Sequence, residues 1–498
     1  MAQVLIHDLT FAYEGSYVNV FEHISLTLDT CWRLGLVGRN GRGKTTFLRL
    51  LAGGLSYRGN IDMPLVPVYF PLNMEDPAGL SIDGIRSIAA HTPEWRLLRE
   101  LNLLQVDESA LYRPYETLSK GEQTKVQLAA LFAREDGYPL IDEPTNHLDI
   151  QGREAVSGYL RGKDGFLLVS HDRAFLNHCV DHVLSINRKD VTVRKGDYET
   201  FRRDMERQNQ HERDENQRLQ KEIRRLTESA RRTAQWSQAV EKSKRGIDRS
   251  GGGACDKGYI GARSADMMKR SLHTKQQRER ALEEKSSLLK NVEKVGELRL
   301  SPLIHHSKTL VEVRDAQVRY GDRVICDRLS LTLRRGERLA ITGKNGAGKS
   351  SILRSICGLS TALRGDISMA GGLRISYVSQ DTDTLRGFLK AYMETWGLDE
   401  TLFKTVLRNM DFDREQFDKD LRDISEGQKK KILLATSLCQ QAHLYVWDEP
   451  LNYMDILSRV QVEKLLLDAK PAMLLVEHDR AFLDRVCTGT VELHPVTP

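Results

Sequence analysis

Hydrophobic positions along this chain fall into two kinds of pattern, and one of them occurs twice. Val4-Leu5-Ile6 opens a strand-like apolar run, and Leu310-Val311-Glu312-Val313 opens another 306 residues later. A second run leads into a glycine-rich loop in each half: Arg33-Leu34-Gly35-Leu36-Val37 and Arg338-Leu339-Ala340-Ile341-Thr342. Helical patterns follow both loops, Phe47-Leu48-Arg49-Leu50-Leu51 and Ile352-Leu353-Arg354-Ser355-Ile356. Short apolar runs before Asp142 and Asp448, and before His171 and His478, complete a parallel core sheet in each half. The expectation is an α/β protein with two tandem domains of one design.

The middle of the chain follows the other pattern. No proline occurs between Pro144 and Pro302, and charge is dense from Phe201 onward. Leu219, Ile223, Leu226 and Ala230 step as a helical seam, and Leu288, Val292, Val295 and Leu298 repeat it before Ser301-Pro302. Between the seams, residues 246–262 hold Gly251-Gly252-Gly253, Gly258 and Tyr259-Ile260. Two long antiparallel helices joined by a glycine-rich tip are predicted. A helix over 201–245 spans about 65 Å at 1.5 Å per residue. An inert coiled spacer has the same pattern, so charge has to separate the two.

Net charge separates them. The whole chain carries +5, but residues 201–300 hold 25 Lys and Arg against 16 Asp and Glu, a balance of +9 that leaves −4 elsewhere. The positive charge belongs to the middle segment, which points to an anionic polymer as its partner. The seven cysteines are scattered without a CxxC pair, which excludes the usual zinc and iron–sulfur spacings and fits a reducing compartment. The sequence holds no run of about 18 apolar residues, and MAQVLIHDLTFAYEG lacks a signal-peptide pattern, so a cytoplasmic protein without a membrane span is expected.

The chemistry lies in four motifs that repeat in order. The first set is GRNGRGKT (Gly38 to Thr45), LSKGE (Leu118 to Glu122), LIDEP (Leu140 to Pro144) and SHD (Ser170 to Asp172). The second is GKNGAGKS (Gly343 to Ser350), ISEGQ (Ile424 to Gln428), VWDEP (Val446 to Pro450) and EHD (Glu477 to Asp479). Offsets between equivalent residues run only from 305 for the lysines to 307 for the histidines. One phosphate-loop match carries a real false-positive risk; two in matched company do not.

Glycines let backbone N–H groups turn inward around phosphate oxygens at a helix N-terminus. Gly38, Asn40, Gly41, Gly43, Lys44, Thr45 and Thr46 are the candidate ATP-binding residues of the first loop. Gly343, Asn345, Gly346, Gly348, Lys349, Ser350 and Ser351 are those of the second. Lys44 and Lys349 reach for the β- and γ-phosphates, and Thr45 and Ser350 suit Mg²⁺. Asp142 and Asp448 are placed to hold the metal through water, with Glu143 and Glu449 polarising the attacking water. His171 and His478, after apolar strands, suit the γ-phosphate or that water.

Ser119 with Gly121, and Ser425 with Gly427, read alone as helix caps. Standing between a phosphate loop and an Asp-Glu strand, LSKGE and ISEGQ resemble the signature of ATP-binding cassette proteins. That resemblance implies two cassette domains, 1–200 and 301–498, joined by a long α-helical hairpin linker over 201–300. It implies that the signature of one cassette closes on the nucleotide of the other, so that a monomer forms an intramolecular cassette pair. It also implies an aromatic stacked on adenine, where Tyr13 and Tyr320 stand, although core tyrosines are equally ordinary there.

Glu143 to Asp149 (EPTNHLD) and Gly196 to Phe201 (GDYETF) resemble the soluble F subfamily, whose members act on ribosomes. Within it the chain resembles the ribosomal protection proteins that confer lincosamide, streptogramin A and pleuromutilin resistance. The stretches that carry this are Trp32 to Lys44, Trp447 to Tyr453, and Tyr259 to Arg263 followed by Met268-Lys269-Arg270. Only 46 residues separate Leu72 from Leu118, against 44 between Gln380 and Ile424, so the first cassette has no room for the helical arm of many translation-factor members. The resemblance implies binding at the ribosomal exit site, with the hairpin displacing P-site transfer RNA and its tip directed toward the peptidyl-transferase centre. Arg231, Arg232, Lys244, Arg245, Arg263, Lys269 and Arg270 are candidate contacts to large-subunit ribosomal RNA or transfer RNA, with Tyr259 and Ile260 at the tip. A solvated helix face is the alternative for any one of these cations.

The chain also departs from the family pattern. Leu72 stands where members commonly have Gln, a residue that the second cassette keeps as Gln380, a candidate metal ligand. Lys120 and Glu426 replace the commonest signature glycine, and Leu451, Tyr453 and Met454 differ from the first copy. Two unequal sites follow. A translation factor relieving stalled ribosomes, and the ATPase subunit of a drug exporter, remain as other readings; the exporter has no use for a basic hairpin.

Overall fold

A computed structural model describes residues 2–15, 19–74, 76–88, 92–146, 148–187, 191–208, scattered positions between 210 and 228, and 298–321, 323–412 and 414–494. The chain divides into two compact units, Met1–Phe201 together with Val295–Pro498, and Arg202–Lys294. The first unit holds both repeats.

In the first repeat, β1 (Gln3–Phe11), β2 (Phe21–Asp29) and β4 (Arg58–Asp62) form an antiparallel sheet of order β2-β1-β4. Beside it, β3 (Arg33–Val37), β5 (Val66–Phe70), β6 (Gly137–Asp142), β7 (Phe166–Val169), β8 (His182–Ile186) and β9 (Val191–Lys195) form a sheet of order β5-β6-β7-β3-β8-β9. It is parallel except for the β8–β9 pair. The second repeat matches it. There β10 (Thr309–Tyr320), β11 (Arg323–Arg334) and β13 (Leu363–Met369) make the antiparallel sheet. A wholly parallel sheet of order β14-β15-β16-β12-β17 is built from β12 (Arg338–Gly343), β14 (Ile375–Val378), β15 (Leu444–Asp448), β16 (Met473–Val476) and β17 (Gly489–Leu493).

The burial of each strand explains its sequence. Strands β7, β15 and β16 are buried at every position, as parallel strands covered on both faces must be, and they read as apolar runs apart from Asp448, which closes β15. The antiparallel sheets are one-sided: β11 alternates buried and exposed residues along much of its length. Even the irregularities repeat, since Asp8 and His23 take left-handed φ angles of 53° and 52°, and Asp315 and Arg328 take 43° and 56° where the same strand pair shifts register.

Two helices per repeat lie between the second and third core strands: Ser81–Ile88 and Glu94–Leu103, then Leu389–Trp396 and Glu400–Asn409. The sequence reading did not foresee them, nor that the opening strands form a separate antiparallel sheet. These helices are only 8 or 10 residues long, each with a narrow apolar stripe that pattern alone does not separate from strand.

Residues 201–208 are helical, as are the described positions out to 228, and Leu219 and Ile223 are less exposed than their neighbours, as a seam requires. Leu298 corrects the second seam. It lies outside any helix and packs on the core of the second repeat, because the chain there already runs toward Pro302 and the strand that follows. The rest of both seams, the glycine-rich tip, and Arg231, Arg232, Lys244, Arg245, Tyr259, Ile260, Arg263, Lys269 and Arg270 lie outside the described residues. Among the described residues no helix is long and apolar enough to cross a membrane.

Candidate composite nucleotide sites

Each phosphate loop runs from the end of a core strand into a helix whose first residue is the motif lysine, Lys44–Leu51 and Lys349–Ile356. The glycines are required by conformation. Gly41 and Gly43 have φ of 80° and 88°, and Gly346 and Gly348 have 80° and 90°, a region costly for any side chain. A Cβ on Gly43 would also stand 2.7 Å from Val20 and 2.9 Å from Phe21.

Inside the first loop the Lys44 ammonium donates to Gly38 O at 2.8 Å, Arg39 O at 3.2 Å and Asn40 Oδ1 at 3.3 Å. Lys349 donates to Gly343 O at 2.8 Å and Lys344 O at 2.9 Å. Burial lowers the pKa of both lysines, and the carboxylates around them oppose it. Tyr13 and Tyr320 stand half exposed beside the loops, their hydroxyls bonded to Thr46 at 2.7 Å and Ser351 at 2.6 Å.

The Asp-Glu pairs close β6 and β15. Glu143 and Glu449 follow at left-handed φ of 52° and 47°, each N–H donating at 2.9 Å to the neighbouring strand, at Val169 O and Val476 O. Such backbone costs about 1–3 kcal/mol and persists where surrounding structure enforces it, often at functional sites. It turns both carboxyls toward the histidines: His171 Nε2 stands 3.2 Å from Glu143 Oε1, and His478 Nε2 stands 3.2 Å from Glu449 Oε1.

The two pairs differ electrostatically. Burial, reinforced by Asp142, pushes Glu143 up to about 7, while burial and the charges of Lys44, Arg459 and Lys431 hold His171 well below its ordinary value. That contact therefore joins a carboxyl to a neutral imidazole and is not an ion pair. Burial raises Glu449 too, but the hydrogen bond and charge of His478, with Lys430 and Lys349, outweigh it and leave the group below its ordinary value.

The metal-side groups also differ. Asp142 Oδ2 accepts from Thr45 Oγ1 at 2.8 Å and from the Tyr69 hydroxyl at 3.0 Å. In the second site Ser350 Oγ donates to Gln380 Oε1 at 3.4 Å, Gln380 Nε2 donates to Glu449 Oε2 at 2.9 Å, and the Asn452 amide reaches the same oxygen. Asp448 is raised to about 6 by burial, and its Oδ1 is buried without a hydrogen-bond partner.

The halves meet at these loops. Asn40 Nδ2 donates to Tyr453 O at 2.9 Å, and the signature glycine Gly427 packs against that carbonyl and Asn40. Across the other loop, the Asn345 N–H points at Asp149 Oδ2, 3.4 Å away. Ion pairs span the halves: Arg39 to Asp411 at 3.1 Å, Arg173 to Glu463 at 2.6 Å, and Arg480 to Glu154 at 2.8 Å. Gly427, in the first turn of the helix Glu426–Cys439 that follows Ser425, thus faces the first phosphate loop; unlike Ser119, Ser425 makes no side-chain capping bond. Ser119 caps the helix Lys120–Ala133 by accepting from the Glu122 N–H, with Gly121 in its first turn.

Sequence reasoning missed several participants: Asp149 and Asp455, which cap helices Ile150–Arg161 and Ile456–Ala469, and Arg459, Tyr69, Gln127 and Lys430. The repeat itself could have found the aspartates, which keep the 306-residue offset of the strand-end acids. Among the described residues no cluster of three His, Cys, Asp or Glu could hold a metal. The donor set is instead a hydroxyl beside one carboxylate, and the unpartnered Asp448 Oδ1 suits a hydrated hard cation carried in with phosphates. Lys44 and Lys349, held inside the loops by main-chain carbonyls, present ammonium groups that would pair with phosphate oxygens.

Residues 21–146 and 326–452 match the family model described as ABC transporter. The chain belongs to that family. Its two cassettes bind ATP, and the chain is an ATPase. It is 27% identical over 492 residues to the ribosome protection protein VmlR of Bacillus subtilis, covering 95% of this chain and 84% of that one. It is 24% identical over 550 residues to ABC transporter F family member 2 of Arabidopsis thaliana, covering 98% and 75%. In fold it is similar to a chain from the complex of archaeal ribosomal stalk protein aP1 with ribosome recycling factor aABCE1, with a TM-score of 0.62 at 19% identity, covering 97% and 87%.

Proposed function

We propose that this cassette ATPase acts on the ribosome and protects it from antibiotics that bind at the peptidyl-transferase centre. It enters at the exit site with ATP bound, contacts large-subunit ribosomal RNA and P-site transfer RNA through its linker, and leaves when ATP is hydrolysed. The observation that carries this reading is the arrangement of parts. Two cassettes already meet at composite sites, and the roughly one hundred residues between them concentrate a +9 charge. A membrane-coupled ATPase has no use for that segment. A polyanion does, and VmlR, with which this chain aligns over 95% of its length, is a ribosome protection protein.

Within this reading, Mg²⁺ accompanies ATP, the protein works as a monomer in the cytoplasm, and the linker between the cassettes, without the stretch from Leu298 that packs on the second repeat, is the ribosome-contacting hairpin. Drug displacement proceeds either directly, by the tip entering the drug site, or by rearrangement of the RNA around it. A translation factor relieving stalled ribosomes is the second reading, since it needs the same parts; the short spacing between Leu72 and Leu118 favours protection. The test is a paired one. The chain with Glu143→Gln and Glu449→Gln is sedimented with ribosomes over a salt series, and the wild-type chain is expressed in a drug-sensitive host. Ribosome binding that weakens with salt, together with raised tolerance of lincosamides or pleuromutilins, is expected. Binding without tolerance selects the translation-factor reading, and no ribosome binding overturns both.

A further inference from the structure

The first site lacks the side chain that ties the second one together, and its neighbourhood is rebuilt around the loss. In the second site Gln380 joins the Ser350 hydroxyl at 3.4 Å to Glu449 at 2.9 Å, and Lys430 Nζ donates to the main-chain carbonyls of Ser379 at 3.1 Å and Gln380 at 2.7 Å. Leu72 has no polar side-chain atom to offer. Instead Gln127 clamps its backbone in both directions, with Oε1 accepting from Leu72 N at 3.0 Å and Nε2 donating to Leu72 O at 3.2 Å.

Three residues before Leu72 stands Tyr69, as Tyr377 stands before Gln380. The Tyr69 hydroxyl donates to Asp142 Oδ2 at 3.0 Å, onto the oxygen that also accepts from Thr45 at 2.8 Å. The Tyr377 hydroxyl makes no such bond, and Asp448 Oδ1 is buried without a partner. Two equivalent tyrosines on equivalent strands thus behave differently, and the difference coincides with the missing glutamine.

The geometry points to Tyr69 as a positioning residue for the metal-side carboxylate of the first site, a second donor to Asp142 in a site that lacks the Ser350–Gln380–Glu449 chain of the second. A carboxylate oxygen fixed by two donors keeps one rotamer, so it meets the cation that arrives with the nucleotide without reorganising. The loop itself, pinned at both backbone groups by Gln127, has no side chain linking the phosphate-loop hydroxyl to Glu143. The first site is therefore built to hold a metal nucleotide, and the second to couple holding to hydrolysis.

This inference rests on reading Asp142 as the carboxylate on the metal side. The test uses the full chain carrying Glu143→Gln and Lys349→Ala, so that a fluorescent ATP analogue reports the first site alone, and reads the Mg²⁺ concentration at half-saturation. Tyr69→Phe is expected to raise it about tenfold, the effect of one hydrogen bond to a charged group, while affinity without Mg²⁺ is unchanged. Adding Leu72→Gln is expected to restore much of the loss, and Asp142→Asn is expected to raise the requirement at least as far. An unchanged requirement in Tyr69→Phe beside a raised one in Asp142→Asn overturns the role of Tyr69 and leaves that of Asp142. No change in either overturns both. Equal weakening by Tyr69→Phe with and without Mg²⁺ shows a merely structural tyrosine and also overturns the proposal.

Discussion

The side-chain amide of Asn40 donates to the main-chain carbonyl of Tyr453, 2.9 Å away, although 413 positions separate the two residues. Asn40 belongs to the phosphate loop of one cassette and Tyr453 to the turn after the Asp-Glu strand of the other. The bond uses a main-chain acceptor, so it reports where the second cassette's backbone lies whatever side chain occupies position 453. Gly427 packs against the same carbonyl. Phosphate loop, signature and turn therefore form one contact, and it exists only while the cassettes are closed.

Closure can be blocked at that point. A Cβ on Gly427 would stand 2.6 Å from Tyr453 O and 3.2 Å from Asn40 Nδ2, and the carbonyl is backbone that cannot rotate away. Overpacking of this kind costs about 1–3 kcal/mol, roughly five- to 150-fold in an equilibrium. Gly427→Ala is expected to cut ATP turnover by at least about fivefold, since the strain is relieved by separating the cassettes. Asn40→Ala loses the bond to Tyr453 O and a longer one from Lys44, about 1 kcal/mol or somewhat more, and should cost at least about fivefold. Phosphate release measures both, and wild-type turnover by Gly427→Ala would remove the signature from the first site.

Glu143 and Glu449 are the expected water-polarising groups. Changing both to Gln should leave fluorescent ATP binding in place and lower turnover by about 10²–10⁴-fold, the usual contribution of a positioned base. Singly, Glu449→Gln should cost more than Glu143→Gln, because Gln380, Asn452 and His478 all hold Glu449. Equal losses from the two single variants would argue against unequal sites.

The phosphate loops, the Asp-Glu strands and the histidines were legible in the sequence because each is a short run whose chemistry needs those residue types consecutively. The sheet they stand on was legible for the same reason, as apolar runs buried on both faces. What the sequence hid was everything set by distance between elements. Gln127 clamps Leu72 from 55 positions away, and Arg173 finds Glu463 from 290, and neither pairing leaves a local trace. Leu72 was legible as a departure, but the response of Tyr69 was not, since Tyr377 holds the same position three residues before Gln380 without the same bond.

The ion pairs between cassettes are unequal and should behave so. Arg173 and Glu463 are both buried, and Glu463 also binds Arg485 at 2.9 Å; Arg480 and Glu154 are 67% and 59% exposed. Removing one partner of a buried pair costs about 3–5 kcal/mol, here toward the lower end because Arg485 keeps Glu463 partly neutralised. Arg173→Ala should therefore weaken ATP-driven closure strongly, read as energy transfer between dyes on the two cassettes, and the deficit should persist at high salt. Arg480→Ala should change closure little, because exposed pairs are screened. The opposite ranking would mean that this contact does not hold the cassettes together.

His171 makes the stability of the nucleotide-free protein depend on pH in a defined direction. Burial and the charges of Lys44, Arg459 and Lys431 hold its folded pKa well below the ordinary 6.5. Above that value the imidazole is neutral both folded and unfolded, and it contributes no pH dependence. As pH falls below it, the unfolded chain takes up a proton that the folded one refuses. Stability is thus present in full above the unfolded pKa and is lost as pH falls toward the folded one. One such proton gives a slope of up to about 1.4 kcal/mol per pH unit. Glu143, raised to about 7, gains a proton in the folded state over the same range and contributes with the opposite sign, so the reading is a difference: between pH 7.5 and 5.5 the thermal midpoint of His171→Gln, which has no proton to gain, should hold up better on acidification than that of the wild type. The same slope in the variant would assign the acid sensitivity to other groups and place His171 where protonation reaches it freely, against its burial beside Glu143 and Lys44.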